Sequence, residues 1–220
     1  MNIGDRVFIP PGLEIIFEDD DIVVVVKPSG LLSVPGRDLD NQDCVVSRLK
    51  ALRPEIMEQP AVHRLDWETS GLMVMAKHKA AHKNLSRQFQ EKQIEKRYIA
   101  IVQGIVKEES GIIELAFRLD PENRPYQVYD PINGKLGLTH WRNLGIEHET
   151  TRIEFTPLTG RTHQLRLHSL HPLGLGYPII GDCLYGDGKK VDDLQLHAMY
   201  LSIIHPIEEK RMFWHVNAPF

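Results

Sequence analysis

Cysteine is scarce: Cys44 and Cys183 are the only two in 220 residues, and no C-x-x-C spacing occurs. That argues against a disulfide framework and against a thiolate zinc site, and it suits a reducing compartment, the cytoplasm. Long apolar runs are missing as well. Residues 22–26 have the length of a buried strand, far short of a bilayer span. Met1-Asn2-Ile3-Gly4-Asp5 has neither the basic start nor the apolar stretch of a signal peptide. Neither G-x-x-x-x-G-K-[ST] nor G-x-G-x-x-G is present, so nothing calls for a nucleotide cofactor, and no cofactor is expected. Eleven histidines invite a metal reading. However, His163 and His168 are five apart, which does not place them on one helix face, and His168 and His171 have no acidic third ligand nearby. No metal is expected.

An apolar share of 42% is present, enough for a real core, and the length fits a single domain over 1–220. The net charge of −4 is unevenly spread. Residues 1–21 hold six acids against Arg6, whereas 77–97 hold seven Lys and Arg against Glu91 and Glu95. Such a basic stretch can hold a phosphate backbone on an acidic molecule, although charge alone favours plain solvated faces.

Periodicity predicts strands at 22–26, 72–76, 98–102, 112–117, 138–143, 152–157, 199–204 and 212–216. Lys27-Pro28-Ser29-Gly30 ends the first of these. Asp43 is placed to cap a helix running to about Arg53, before Pro54. A second helix over 79–91 carries Ala81, Leu85 and Phe89 on one side and a basic row of Lys79, Lys83 and Arg87 elsewhere. A short helix is expected over 163–170, and a long loop over 120–137. The mixture implies an α+β fold, a mainly antiparallel mixed sheet with a few flanking helices.

Three segments are polar where a core would be apolar: 63–71 directly before a buried strand, 95–100, and 159–168. Charged groups beside a buried strand are costly unless paired or used. An arginine of the third segment could hold a carboxylate ionised by a bidentate pair, and a desolvated carboxylate of that kind can act as nucleophile or base.

His63-Arg64-Leu65-Asp66-x-x-Thr69-Ser70-Gly71-Leu72 resembles the signature of the RluA family of pseudouridine synthases. Lys27-Pro28-Ser29-Gly30-Leu31, Lys96-x-Tyr98-x-Ala100 and Gly160-Arg161-Thr162-His163-Gln164-x-Arg166-x-His168 resemble its other motifs, in the same order. The resemblance runs from about Glu14 to the end and includes no S4-type RNA-binding domain. It implies the pseudouridine synthase fold with a central RNA-binding cleft. It also implies isomerisation of uridine, in which uracil is detached, turned and rejoined through carbon five. By resemblance Asp66 is the essential carboxylate. Tyr98 lies against the flipped uracil, Arg161 pairs with Asp66, and Arg64 fills the gap left by the extruded base. His63, Arg64, Lys79, Lys83, Arg87 and Arg166 are the candidate RNA contacts, with Arg37, Lys135, Lys189 and Lys190 as further phosphate contacts. The partner is structured RNA: a tRNA anticodon stem-loop, a large-subunit rRNA hairpin, or both. The protein is expected to act as a monomer away from membranes.

Two departures, Leu136-Gly137-Leu138 and Tyr126, bear on the RNA target and not on the reaction. The rival from another class is a catalytically silent RNA-binding or chaperone module of the same fold, against which the intact Asp66, Tyr98 and Arg161 speak. A hydrolase built on Asp66 and Glu68 would need both carboxylates from one short turn, a poor way to flank a bond.

Overall fold

The computed structural model describes residues 13–38 and 41–220. The reading of the amino terminus rests on residues that lie outside these. The elements, in chain order, are β1 (Glu14–Glu18), β2 (Ile22–Lys27), α1 (Val45–Leu52), β3 (Ser70–Ala76), α2 (Lys79–Gln90), β4 (Glu95–Gln103) and β5 (Ser110–Leu119). There follow β6 (Gln127–Tyr129), β7 (Lys135–Glu147), β8 (Thr150–Pro157), α3 (Gln164–Leu170), β9 (Leu196–Ile204) and β10 (Arg211–His215). The strands form one sheet in the order β1-β2-β3-β9-β4-β8-β7-β5-β6, with β10 also on β9. Every pairing between these strands is antiparallel except a short parallel contact between β3 and β9, Ser70 with His197 and Gly71 with Ala198. The expected α+β class is found.

Alternation explains the layering. Val23, Val25, Met73 and Met75 pack with Val45, Leu49 and Leu52 of α1. Ile22, Val24, Leu72 and Val74 pack with Ala81 and Leu85 of α2. With a helix against each face, β3 is buried at every residue, and so it reads as a continuous apolar run. Farther along the sheet, α3 places Leu165 against β4 and β8 and Leu167 against β5.

Gly71 makes the parallel contact possible. Its φ is +119°, and a Cβ there would stand 2.4 Å from the Ala198 carbonyl oxygen. Only glycine fits both the conformation and the approach.

Some expectations are corrected. Cys44, not Asp43, caps α1: its Sγ accepts from Ser47 N while Ser47 Oγ accepts from Cys44 N at 2.9 Å. Asp43 instead pairs with Arg48 at 2.7 Å. The expected loop over 120–137 contains β6, which pairs with β5, and the start of β7. Asp130 Oδ1 accepts from the N–H groups of Ile132 and Asn133, which turns the chain between β6 and β7. Among the described residues no helix is long and apolar enough to cross a membrane.

Candidate active site

The segment before β3 lines a cleft of about 540 Å³, with Asp66 half-buried in its wall. Backbone hydrogen bonds hold this segment on both sides of Asp66. Ser33 Oγ donates to Leu65 O at 2.7 Å and accepts from Leu65 N at 3.0 Å. Lys27 Nζ donates to Trp67 O at 3.0 Å, and also to Pro28 O and Leu31 O. Gly30 N donates to Trp67 O, Trp67 Nε1 to Gly30 O, and Ser29 Oγ to Glu68 O. The first motif is thus a cradle for the second. Asp66 is presented by a preorganised loop and does not have to be ordered by substrate.

Several groups near Asp66 depart from their ordinary titration ranges. Burial, and then the charge of Asp66, push the Tyr98 phenol above its ordinary range, so it remains a hydroxyl. That suits it to pack or to donate, not to act as a phenolate base. Burial pushes Lys27 down to about 7, against the attraction of Asp66. Arg166 is raised well above its ordinary value by Asp182, Glu68 and Asp66 against the cost of burial.

The two arginines of the third motif occupy contrasting places. Arg161 is exposed on the cleft rim, where its Nε donates to Leu136 O at 3.0 Å; it forms no ion pair with Asp66 among the described residues. Arg166, expected as an RNA contact, is 1% exposed. It holds Glu68 Oε2 at 2.6 Å and both oxygens of Asp182. A guanidinium with two buried carboxylates has little left for a phosphate. Arg166 therefore anchors the loop that carries Asp66 through Glu68, two residues farther on.

His63 lies half-buried in the cleft wall. Its Nε2 accepts from Val74 N at 3.0 Å, its ring stacks on Phe89 at 4.6 Å, and burial with nearby Lys96 pushes it down to about 3. It is a neutral clamp between the loop and β3. Arg64 is exposed in the cleft, and its guanidinium has no hydrogen-bond partner among the described residues. Lys79, Lys83 and Arg87 are exposed along α2, and Arg37, Lys135, Lys189 and Lys190 are exposed too. Lys92 and Lys96 also line the cleft. Lys96 was legible from its place two residues before Tyr98, on the same side of a strand.

One described group has metal-like composition: Asp19, Asp21 and His205, outside the cleft. His205 Nδ1 accepts from Glu208 N at 2.9 Å, so the ring proton sits on Nε2 and is given to Asp19 Oδ2 at 3.0 Å. This is a hydrogen-bonded corner joining the β1–β2 and β9–β10 turns, and that tautomer leaves Nε2 no lone pair for a cation.

The family model for RNA pseudouridylate synthase matches residues 21–171. The dual-specificity RNA pseudouridine synthase RluA of Haemophilus influenzae is 44% identical over 96% of this chain and 95% of its own. The protein of the same name from Vibrio vulnificus is 46% identical over 89% and 79%. Among solved structures, human RNA pseudouridylate synthase domain containing 1 superimposes with a TM-score of 0.75 at 29% identity, covering 95% of this chain and 84% of that one. With that match across most of the chain, and Asp66 in the wall of the cleft, this chain belongs to the RNA pseudouridylate synthase family.

Proposed function

We propose that this pseudouridine synthase draws a single uridine out of a structured RNA into the cleft and isomerises it with Asp66 as the essential carboxylate. The observation that carries this reading is the loop around Asp66, fixed by Ser33 at Leu65 and by Lys27 and Gly30 at Trp67. In the reaction the bond from the ribose to uracil nitrogen one breaks and a bond to carbon five forms, while the carbon-five proton leaves to solvent and nitrogen one takes up a proton. Nothing is oxidised and no energy carrier is consumed.

Tyr98 is the surface against which the flipped uracil rests, its hydroxyl kept protonated. Arg64, exposed and without a partner among the described residues, is suited to enter the stack as the base leaves. Arg166 keeps the loop in place through Glu68, and Arg161 on the rim is free to turn from Leu136 O toward the substrate. The row of Lys79, Lys83 and Arg87, with Lys92, supplies phosphate contacts. The unit works as one catalytic domain, as a monomer, in the cytoplasm.

Relatives named dual-specificity enzymes at 44 and 46% identity support more than one RNA substrate here; we assign these to an anticodon stem-loop and a large-subunit rRNA hairpin. Mapping pseudouridines across the transcriptome with and without the gene tests this. Sites lost in both RNA classes are expected. Loss in one class alone would overturn dual specificity, and no loss would overturn the assignment of targets.

A further inference from the structure

Tyr185 lies outside the four motifs and outside residues 21–171, yet it connects three parts of the molecule. Asp182 Oδ1 accepts from the N–H groups of Leu184 and Tyr185 at 2.9 and 2.8 Å, turning the chain after its buried pair with Arg166. The Tyr185 hydroxyl accepts from Gln127 N at 2.9 Å, and it stands 2.8 Å from His163 Nδ1. The imidazole tautomer sets which of the two donates in that bond. Burial holds His163 below its ordinary range, which keeps the imidazole neutral. The ring meets Tyr126 edge-on at 5.7 Å and 89°, and the Arg166 guanidinium lies 5.4 Å from its centroid.

Gln127 and Tyr126 belong to the excursion between β5 and β7. Asp120 N bonds Tyr126 O across the start of the β5–β6 pair, while Gln127 N turns to Tyr185. Arg124, Tyr126 and Tyr129 are exposed there, and Ile132 is 88% exposed. Exposed aromatic and guanidinium groups of this kind stack on unpaired bases.

We propose that Tyr185 is a positioning residue for substrate selection, seating the β5–β7 excursion on the layer that holds the catalytic loop. An RNA loop gripped by the excursion is thereby registered against Asp66. The ligand is the unpaired segment flanking the target uridine. The proposal rests on the pseudouridine synthase reading above and adds the residue that couples recognition to the reacting carboxylate.

Tyr185→Phe removes the hydroxyl and keeps the ring; Gln127→Pro removes the N–H from the other side. With a structured stem-loop RNA labelled at uracil carbon five, each variant is expected to raise KM roughly five- to tenfold. Turnover should stay within about twofold of wild type. The double variant should fall short of additivity, because both substitutions delete the bond from Gln127 N, while Tyr185→Phe also loses the one to His163. Hydrogen exchange at residues 126–129 of the free protein should quicken in Tyr185→Phe while α3 stays protected. A fall in turnover at constant KM, additive effects of the two substitutions, or unchanged exchange would each overturn the proposal. If wild type releases no tritium from any RNA, the reaction reading fails, whereas the exchange comparison still decides whether Tyr185 seats the excursion.

Discussion

Lys27 has no exposed surface, and its three ammonium protons face carbonyl oxygens of Pro28, Leu31 and Trp67. Its position makes a prediction about stability and pH. Burial brings it down to about 7 in the folded protein, below an unfolded value near that of free lysine. Between those values the unfolded chain holds the proton and the folded one has lost it, so stability contributed at this site rises with pH. In urea unfolding from pH 7 to 10, wild type should gain on Lys27→Met by up to about 1.4 kcal/mol per pH unit; parallel curves would contradict it. The same scale shows what the sequence could not reveal. Arg161 and Arg166 share one motif, and α3 has only seven residues, six of them buried, so no polar stripe marks which arginine turns inward. The left-handed His163, φ 55°, starts the helix in a direction no periodicity encodes.

Elements carry the loop as much as single residues do. The parallel contact between β3 and β9 begins where the loop that carries Asp66 ends, and Gly71 permits it. Gly71→Ala would meet a positive φ and a carbonyl oxygen together. It should cost on the order of 2–4 kcal/mol in denaturant unfolding and lower turnover as the strand start shifts. Unfolding midpoints equal to wild type would sink this view of the crossing. The strands with a strong apolar pattern, β3 as a continuous run and β8 by alternation, were legible in sequence. Those with little to bury were not: β1 is an edge strand with intermediate exposure, and β6 is three residues held by pairing and turn bonds. The α1 cap was missed because a thiol took the role usual for a carboxylate, leaving Asp43 to bind Arg48.

On the scale of the whole molecule, an acidic protein acts on a polyanion by segregating its charge. Its exposed cations on α2 and beside the cleft stand apart from its most buried ones, Lys27 and Arg166, which are spent on the loop. The sheet explains why the motifs, far apart in sequence, converge: β3 carries Asp66's loop, β4 carries Tyr98, and β9 lies between them while α3 packs beneath. The role of Asp66 is the claim on which the rest depends. It is tested most directly by single-turnover tritium release from RNA labelled at uracil carbon five, with affinity measured on the same RNA. Wild type should release the label, and Asp66→Asn should lose at least about a thousandfold in rate while binding within about threefold of wild type. Release by Asp66→Asn at a rate near wild type, or a loss of affinity as large as the loss of rate, would contradict the account.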